Sequence, residues 1–340
     1  MRRNQFNATY CSLIVLATLL ATLSVSSDAL AILLQKPIDC QIGQDCFIQN
    51  YVDLGPGTEY CDAFGGALSY DKHKGTDFRV PFANMQAGVA VKAAAPGVVR
   101  GMRDGMEDIS IRKGGQDKIK GRECGNGVVI LSPDGTETQY CHMRKGSLRV
   151  KAGQQVATGQ ELGLVGLSGD TEFPHLHFQV KVKGNYVSPF TGNPMESGCG
   201  PAKNNPLWTN QTLNDMPYIA SGGLDAGFSS EQPDINTIFL DGKKTETFTS
   251  QTPQILFWAG FWGVHKDDVI AMRITTPTGE VWTTNPQSVP RNQAQRLLLV
   301  GKKYTKPWPI GVYAGEAVLT RQGTRIAVLS RTVTVSAASQ

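Results

Sequence analysis

Residues 175–182 read His-Leu-His-Phe-Gln-Val-Lys-Val. Leu176, Phe178, Val180 and Val182 give the run the branched and aromatic content of a strand, and alternate strand residues share a face, so His175 and His177 point the same way. Upstream, His73-Lys-Gly-Thr-Asp77 sets a further imidazole and a carboxylate four residues apart around Gly75, before Gly-Thr-Asp-Phe runs on as a strand. Between the two lies Tyr140-Cys-His-Met143. Four of the five histidines fall in these short motifs, a concentration that imidazoles filling gaps do not explain. A catalytic zinc takes three protein ligands from imidazole nitrogen and carboxylate oxygen and keeps a fourth position open. Two histidines and one aspartate meet that count.

Singly, each motif is weak: His-x-His is more often an accident of strand sequence, and Tyr-Cys-His alone means nothing. Together, His-x-Gly-x-Asp, Tyr-x-His and His-Leu-His-Phe in this order resemble the LytM/lysostaphin-type zinc metalloendopeptidases, which cut peptide parts of bacterial peptidoglycan. The resemblance runs from about Tyr70 to Val182 and includes Gly97-Val-Val99, Gly127-Val-Val-Ile130, Gly153-Gln154 and Gly163-Leu-Val-Gly166. It implies zinc ligands at His73, Asp77 and His177, and two catalytic histidines that do not bind the metal, His142 and His175. Departures from the family pattern are Met143 in place of leucine, Gln179 in place of glutamate and a polar insertion after Arg103. None removes a reacting group. Two other functions stay open: a non-cutting LytM-like module that binds or regulates other cell-wall hydrolases, and a general secreted zinc protease. The filled motif positions favour activity over the first; substrate comparison decides the second.

Residues 1–31 read as an export signal: Arg2 and Arg3, an apolar run from Ser12 to Val25, and Ala29-Leu-Ala31 as the cleavage motif. The run is short against the roughly 20 residues of a spanning helix, so no stable membrane span is expected after cleavage, and the periplasm is the expected location. Six of the seven cysteines follow this segment, and an even set in an exported chain reads as disulfides. Locality pairs Cys40 with Cys46, and Cys124 with Cys141 across a hairpin turning at Pro133-Asp-Gly135, which leaves Cys61 for Cys199. Because neighbouring strand residues face opposite ways, the Cys124–Cys141 bridge is expected behind the backbone that carries His142.

The net charge of +4 is compatible with an anionic wall polymer, and no basic run points to nucleic acid. Short alternating runs with Gly and Pro-Asp-Gly turns, and few segments of period 3.6, predict an all-β protein: an antiparallel catalytic domain over 61–205 followed by a β-sandwich of immunoglobulin type over 218–340. Residues 32–60 form a lead-in with a small disulfide loop. It reads as an ordinary edge strand, although an oxygen from Gln49, Asn50 or Asp53 could instead reach the metal's open position, as a precursor segment does in some relatives of the family. In the second domain, Thr237–Leu240, Ile255–Trp258, Val269–Ile274, Leu297–Val300 and Ile326–Leu329 are expected strands, and Trp258, Phe261, Trp262 and Trp308 are candidates for an exposed binding surface, with core packing the expected role for some of them. No metal-ligand cluster is seen there, His265 standing alone.

Overall fold

The computed structural model describes Met1 and residues 32–114, 119–199, 205–240 and 247–338. The expected export signal, apart from Met1, lies outside them. No helix of the described residues is long and apolar enough to cross a membrane.

The chain is all-β, with helices, among the described residues, only at α1 (Phe82–Ala87), α2 (Asn210–Asn214) and a single 3-10 turn at Ile111–Lys113. Ten strands build the part that carries the histidine motifs: β1 (Phe47–Asn50), β2 (Thr76–Arg79), β3 (Ala90–Lys92), β4 (Gly97–Arg103), β5 (Asn126–Leu131), β6 (Glu137–Met143), β7 (Gln155–Val156), β8 (Glu161–Leu164), β9 (His175–Val182) and β10 (Asn185–Val187). Eight of them form one antiparallel sheet in the order β1-β2-β9-β6-β5-β4-β7, with β10 also paired to β9, while β3 and β8 pair separately. The lead-in therefore supplies the edge strand, β1.

The period of two separates this sheet into two faces. Phe78 lies opposite Leu176 and Tyr140 opposite Phe178, and these four side chains are wholly buried in one cluster with Val91, Leu162 and Trp208. Trp208 stacks on Phe178 at 5.5 Å between ring centres. Burying an aromatic or aliphatic side chain of this kind contributes about 1.5–3 kcal/mol. The other face receives Asp77 opposite His177 and Arg79 opposite His175, so the apolar residues that hold the sheet down also aim the polar ones outward.

Nine further strands follow: β11 (Gly222–Ser229), β12 (Phe248–Thr249), β13 (Gln254–Val264), β14 (Val269–Thr275), β15 (Val281–Thr283), β16 (Gln287–Ser288), β17 (Gln293–Lys303), β18 (Gly311–Arg321) and β19 (Thr324–Ser336). Sheet β11-β13-β17 and the six-stranded sheet of β12-β19-β18-β14-β15 with β16 share a single core, in which Phe257, Phe261 and Val300 of the first meet Ile270, Tyr313 and Leu319 of the second. All pairings are antiparallel except the short β12–β19 contact. Trp262 points away from this core and stacks on Phe47 at 4.4 Å, joining the sandwich to β1.

Two expectations for this region are corrected. Thr237–Leu240 is a turn rather than a strand: the Asn236 and Ile238 amides donate to the side chain and the carbonyl of Asp234, which closes the backbone locally. Trp258, Phe261, Trp262 and Trp308 are 6, 0, 3 and 7 % exposed, so they are packing residues and form no surface platform.

At the start of the sandwich, the wholly buried carboxylate of Asp268 accepts from Arg321 Nε at 2.7 Å and Nη2 at 2.8 Å, and from the His265 amide at 2.7 Å. Arg321 Nη2 also donates to Ser221 Oγ, tying β18 to the strand that enters the sandwich. Burial opposes the charge on Asp268, but the Arg321 and His265 hydrogen bonds outweigh it and hold the carboxyl below its ordinary value. A depressed carboxyl stabilises the fold above the unfolded-state value of about 3.9, and that contribution is lost as pH falls through the lower folded value. Asp268→Asn is expected to cost about 3 kcal/mol at neutral pH, because it leaves a largely buried guanidinium unpaired. In urea titrations its deficit relative to the parent should shrink below about pH 4; an equal deficit at pH 7 and pH 3 would rule out the ion pair as its source.

Candidate metal centre

The site lies where β2, β9 and β6 adjoin. Asp77 and His177 are cross-strand partners, and His73 enters from the turn before β2. His73 Nε2 is 3.3 Å from His177 Nδ1 and 3.2 Å from Asp77 Oδ2, while His177 Nδ1 is 2.8 Å from Asp77 Oδ1. Tetrahedral bonds of about 2.0–2.1 Å require donor separations of roughly 3.3 Å. The two nitrogens and the carboxylate, which turns one oxygen to each ring, are grouped closely enough for one ion.

The hydrogen bonds on the far side of each ring strengthen this reading. His73 Nδ1 faces the Tyr51 carbonyl at 2.7 Å, an acceptor, which assigns the ring proton to Nδ1 and leaves a lone pair on Nε2. His177 Nε2 faces Gln179 Oε1 at 3.2 Å, also an acceptor, so its Nδ1 bears the lone pair. With those tautomers two lone pairs and a carboxylate oxygen converge, an arrangement that favours a cation among them. A Cβ on Gly75 would lie 2.7 Å from His177 Cε1 and Nε2, so the glycine of the first motif makes room for the ring of the last. Asn50 Nδ2 donates to Asp77 Oδ2 at 3.0 Å. Burial opposes the charge of Asp77, yet the surrounding histidines hold its carboxyl well below the usual range.

His142 and His175 complete the cluster, their rings 4.6 Å apart. His142 Nδ1 donates to the Ser168 carbonyl at 2.7 Å, and His175 Nδ1 to the Phe173 carbonyl at 2.9 Å, beside Thr171 Oγ1 at 3.0 Å. Each Nε2 is left as an acceptor; that of His175 lies 3.5 Å from Asp77 Oδ1. Burial, with His175 and His177 opposite, pushes His142 well below the ordinary imidazole range, so it is neutral. All five residues expected from the sequence are thus brought together.

His142 reaches the cluster by an irregular route. Its φ of 61° lies in the left-handed region, which costs a non-glycine residue of order 1 kcal/mol or more and persists where surroundings over-determine it. Here its amide donates to the Cys124 carbonyl at 2.8 Å while the ring is held by Ser168. The expectation that the Cys124–Cys141 bridge lies behind this strand is therefore corrected. Cys141 is the cross-strand partner of His177 and shares its face; the twist at His142 turns the next side chain toward that face as well. All three expected disulfides are present.

Several contributors escaped the sequence reading. Gln179 Nε2 donates to Gln139 Oε1, and Gln139 Nε2 to Cys124 Sγ at 3.2 Å, so a chain of contacts joins His177 to the disulfide. Gln179 could have been found from its place two residues after His177 on the same strand face. The Tyr51 and Ser168 carbonyls leave no side-chain signal. Of the lead-in residues, Asn50 touches Asp77, Gln49 turns to Arg79 and the Ala294 carbonyl, and Asp53 binds the Gly55, Cys61 and Lys72 amides.

Comparison with known proteins finds relatives for the segment that carries these residues. Residues 71–189 match Peptidase family M23. The chain is 34% identical over 126 residues to the peptidoglycan DD-endopeptidase ShyA of Vibrio cholerae, an alignment covering 37% of this chain and 24% of that protein. It is 32% identical over 117 residues to the DD-carboxypeptidase/endopeptidase Mpg of Neisseria meningitidis, covering 34% and 22%. Among solved structures, a zinc-containing peptidase from Vibrio cholerae is similar at 25% identity, with a TM-score of 0.32 over 46% of this chain and 39% of that one. The chain spans about a quarter of the length of the curated relatives it matches.

Replacing Cys124 and Cys141 together by alanine should lower stability by about 3 kcal/mol, the loop-closure contribution of a bridge of this span. Guanidinium titration under non-reducing conditions measures it. An unchanged midpoint would show that the bridge constrains neither state.

Proposed function

We propose that this chain is an exported zinc-dependent metalloendopeptidase that hydrolyses peptide bonds in the stem-peptide cross-links of peptidoglycan. The observation that carries the reading is the convergence of His73 Nε2, His177 Nδ1 and the Asp77 carboxylate, with the other nitrogen of each ring facing an acceptor. The donor set of two neutral imidazoles and one carboxylate suits zinc and, as three ligands, leaves a position open. When bound there, zinc supplies a Lewis acid for the scissile carbonyl and brings the pKa of water toward neutrality. Relatives that align with the same segment are named peptidoglycan DD-endopeptidases, which supports the substrate class; an export signal over 1–31 would put the protein with that substrate in the periplasm.

The chain's own groups handle the protons. His142 and His175 each present Nε2 into the cluster from a ring whose Nδ1 is locked by a carbonyl. A neutral imidazole held this way accepts a proton from the attacking water as a general base. Once protonated, it can return that proton to the leaving amine. The second imidazole orients the carbonyl or stabilises the developing oxyanion. Ser168, Phe173 and Thr171 fix ring orientation, so neither histidine spends time searching for its position. The full set of proton-handling and ligand residues favours hydrolysis over a non-cutting binding module.

Alanine at His73, Asp77 or His177 should empty the centre, since two protein ligands hold zinc weakly. Alanine at His142 or His175 should keep about one zinc per chain and lose turnover by roughly 100-fold or more. Metal analysis at saturating zinc, alongside peptide release from purified sacculi, reads both. Retention of metal in His177→Ala with loss in His175→Ala would reverse the two strand assignments, and an active zinc-free parent protein would sink the reading.

A further inference from the structure

A second feature lies on the same sheet face, one strand step from the metal donors. Arg79 follows Asp77 by two residues, so both project from the same side of β2, and Arg79 is the cross-strand partner of His175. The residue is 5 % exposed and its guanidinium stacks on Phe173, with 4.1 Å from Cζ to the ring centre. Nη1 donates to Gln49 Oε1 at 2.9 Å and Gln295 Oε1 at 3.3 Å. Both partners are neutral amides, and among the described residues no carboxylate stands within ion-pair distance of Arg79. The nearby carboxylate, Glu172, is already held by Arg112 Nη2 at 2.7 Å. Burial without a counter-ion is costly for a charge.

The guanidinium opens on a cavity of about 680 Å³ between the catalytic sheet and the sandwich. Lys266 and Arg291 come to its rim from the sandwich, and Arg112 from the loop before β5. Neither Lys266 nor Arg291 has a carboxylate partner among the described residues. Four cations thus face a cavity whose lining includes one carboxylate, Glu172, and the buried cation is the one nearest the catalytic face.

We infer that this cavity is a subsite for a carboxylate carried by the peptide substrate, with Arg79 at its base and Lys266 and Arg291 at its rim. Two strand residues span about 7 Å, the reach of two residues of an extended peptide. The subsite therefore selects a free carboxylate one or two residues from the bond being cut, and it is completed by the sandwich. As a specificity device it rests on the peptidase reading. As a binding site it does not.

The test uses the full mature protein loaded with zinc and three probes: an N-acetylated dipeptide with a free C-terminal carboxylate, its C-terminal amide, and inorganic phosphate. Calorimetry should show the acid binding about 10-fold or more tighter than the amide, the range of one or two charge-assisted hydrogen bonds. Lys266→Ser/Arg291→Ser, two exposed rim positions, should reduce that ratio several-fold, and Arg79→Gln should abolish it provided the thermal melt shows a folded protein. A carboxylate seated on the metal would keep its preference in the rim variant, and that result overturns the proposal. So does equal binding of acid and amide, or tighter binding of phosphate than of the acid. Acid-selective binding in a protein that cuts no peptide would defeat the peptidase reading and leave the subsite standing, whereas peptide cleavage indifferent to acid or amide would defeat the subsite alone.

Discussion

The pairing of Asp77 with His177 across β2 and β9 is the constraint on which the rest depends. It places a carboxylate oxygen 2.8 Å from an imidazole nitrogen only because the two strands are in register, and a slip of one residue would send both to the apolar face. Register is in turn enforced by Phe78 against Leu176 and by Tyr140 against Phe178, whose burial leaves no alternative pairing. The core does not merely stabilise the domain. It sets the distance between the groups that meet on the opposite face.

Around that pair, the protein fixes each imidazole by what it does with the other ring nitrogen. Three rings donate to backbone carbonyls and one to a glutamine. Backbone carbonyls are rigid and cannot take up a proton at working pH, so they set the tautomer without themselves titrating. Those partners come from three places, Tyr51 just after β1, Ser168 and Phe173 between β8 and β9, and Gln179 on β9, so the centre needs several chain segments to be in place at once. His142 shows the limit of the regular sheet: its ring reaches the cluster only through a left-handed backbone, held by Cys124 and Ser168.

Much of this was legible before any coordinates. Alternation around His175 and His177 gave the strand and the shared face, and the resemblance carried by the order of three motifs singled out the five residues that the fold groups together. The disulfide partners followed from locality. What could not be read has a common character. The Tyr51 and Ser168 carbonyls belong to every residue type, the positive φ of His142 is imposed by its surroundings, and the cavity at Arg79 needs residues more than two hundred positions apart. The tryptophans of the sandwich were misplaced for a related reason, since aromatic content alone does not distinguish a packed interior from a platform. Thr237–Leu240 has the composition of a strand, but Asp234 closes a turn first.

Asn50 and the Tyr51 carbonyl lie upstream of residue 71, where the match to the peptidase family begins. One braces the Asp77 carboxylate and the other faces Nδ1 of His73. The boundary drawn by similarity therefore cuts through the centre's supporting bonds. A fragment spanning 71–189 would inherit all five signature residues and still be chemically incomplete, so the portable unit of this fold is larger than the unit by which it is recognised.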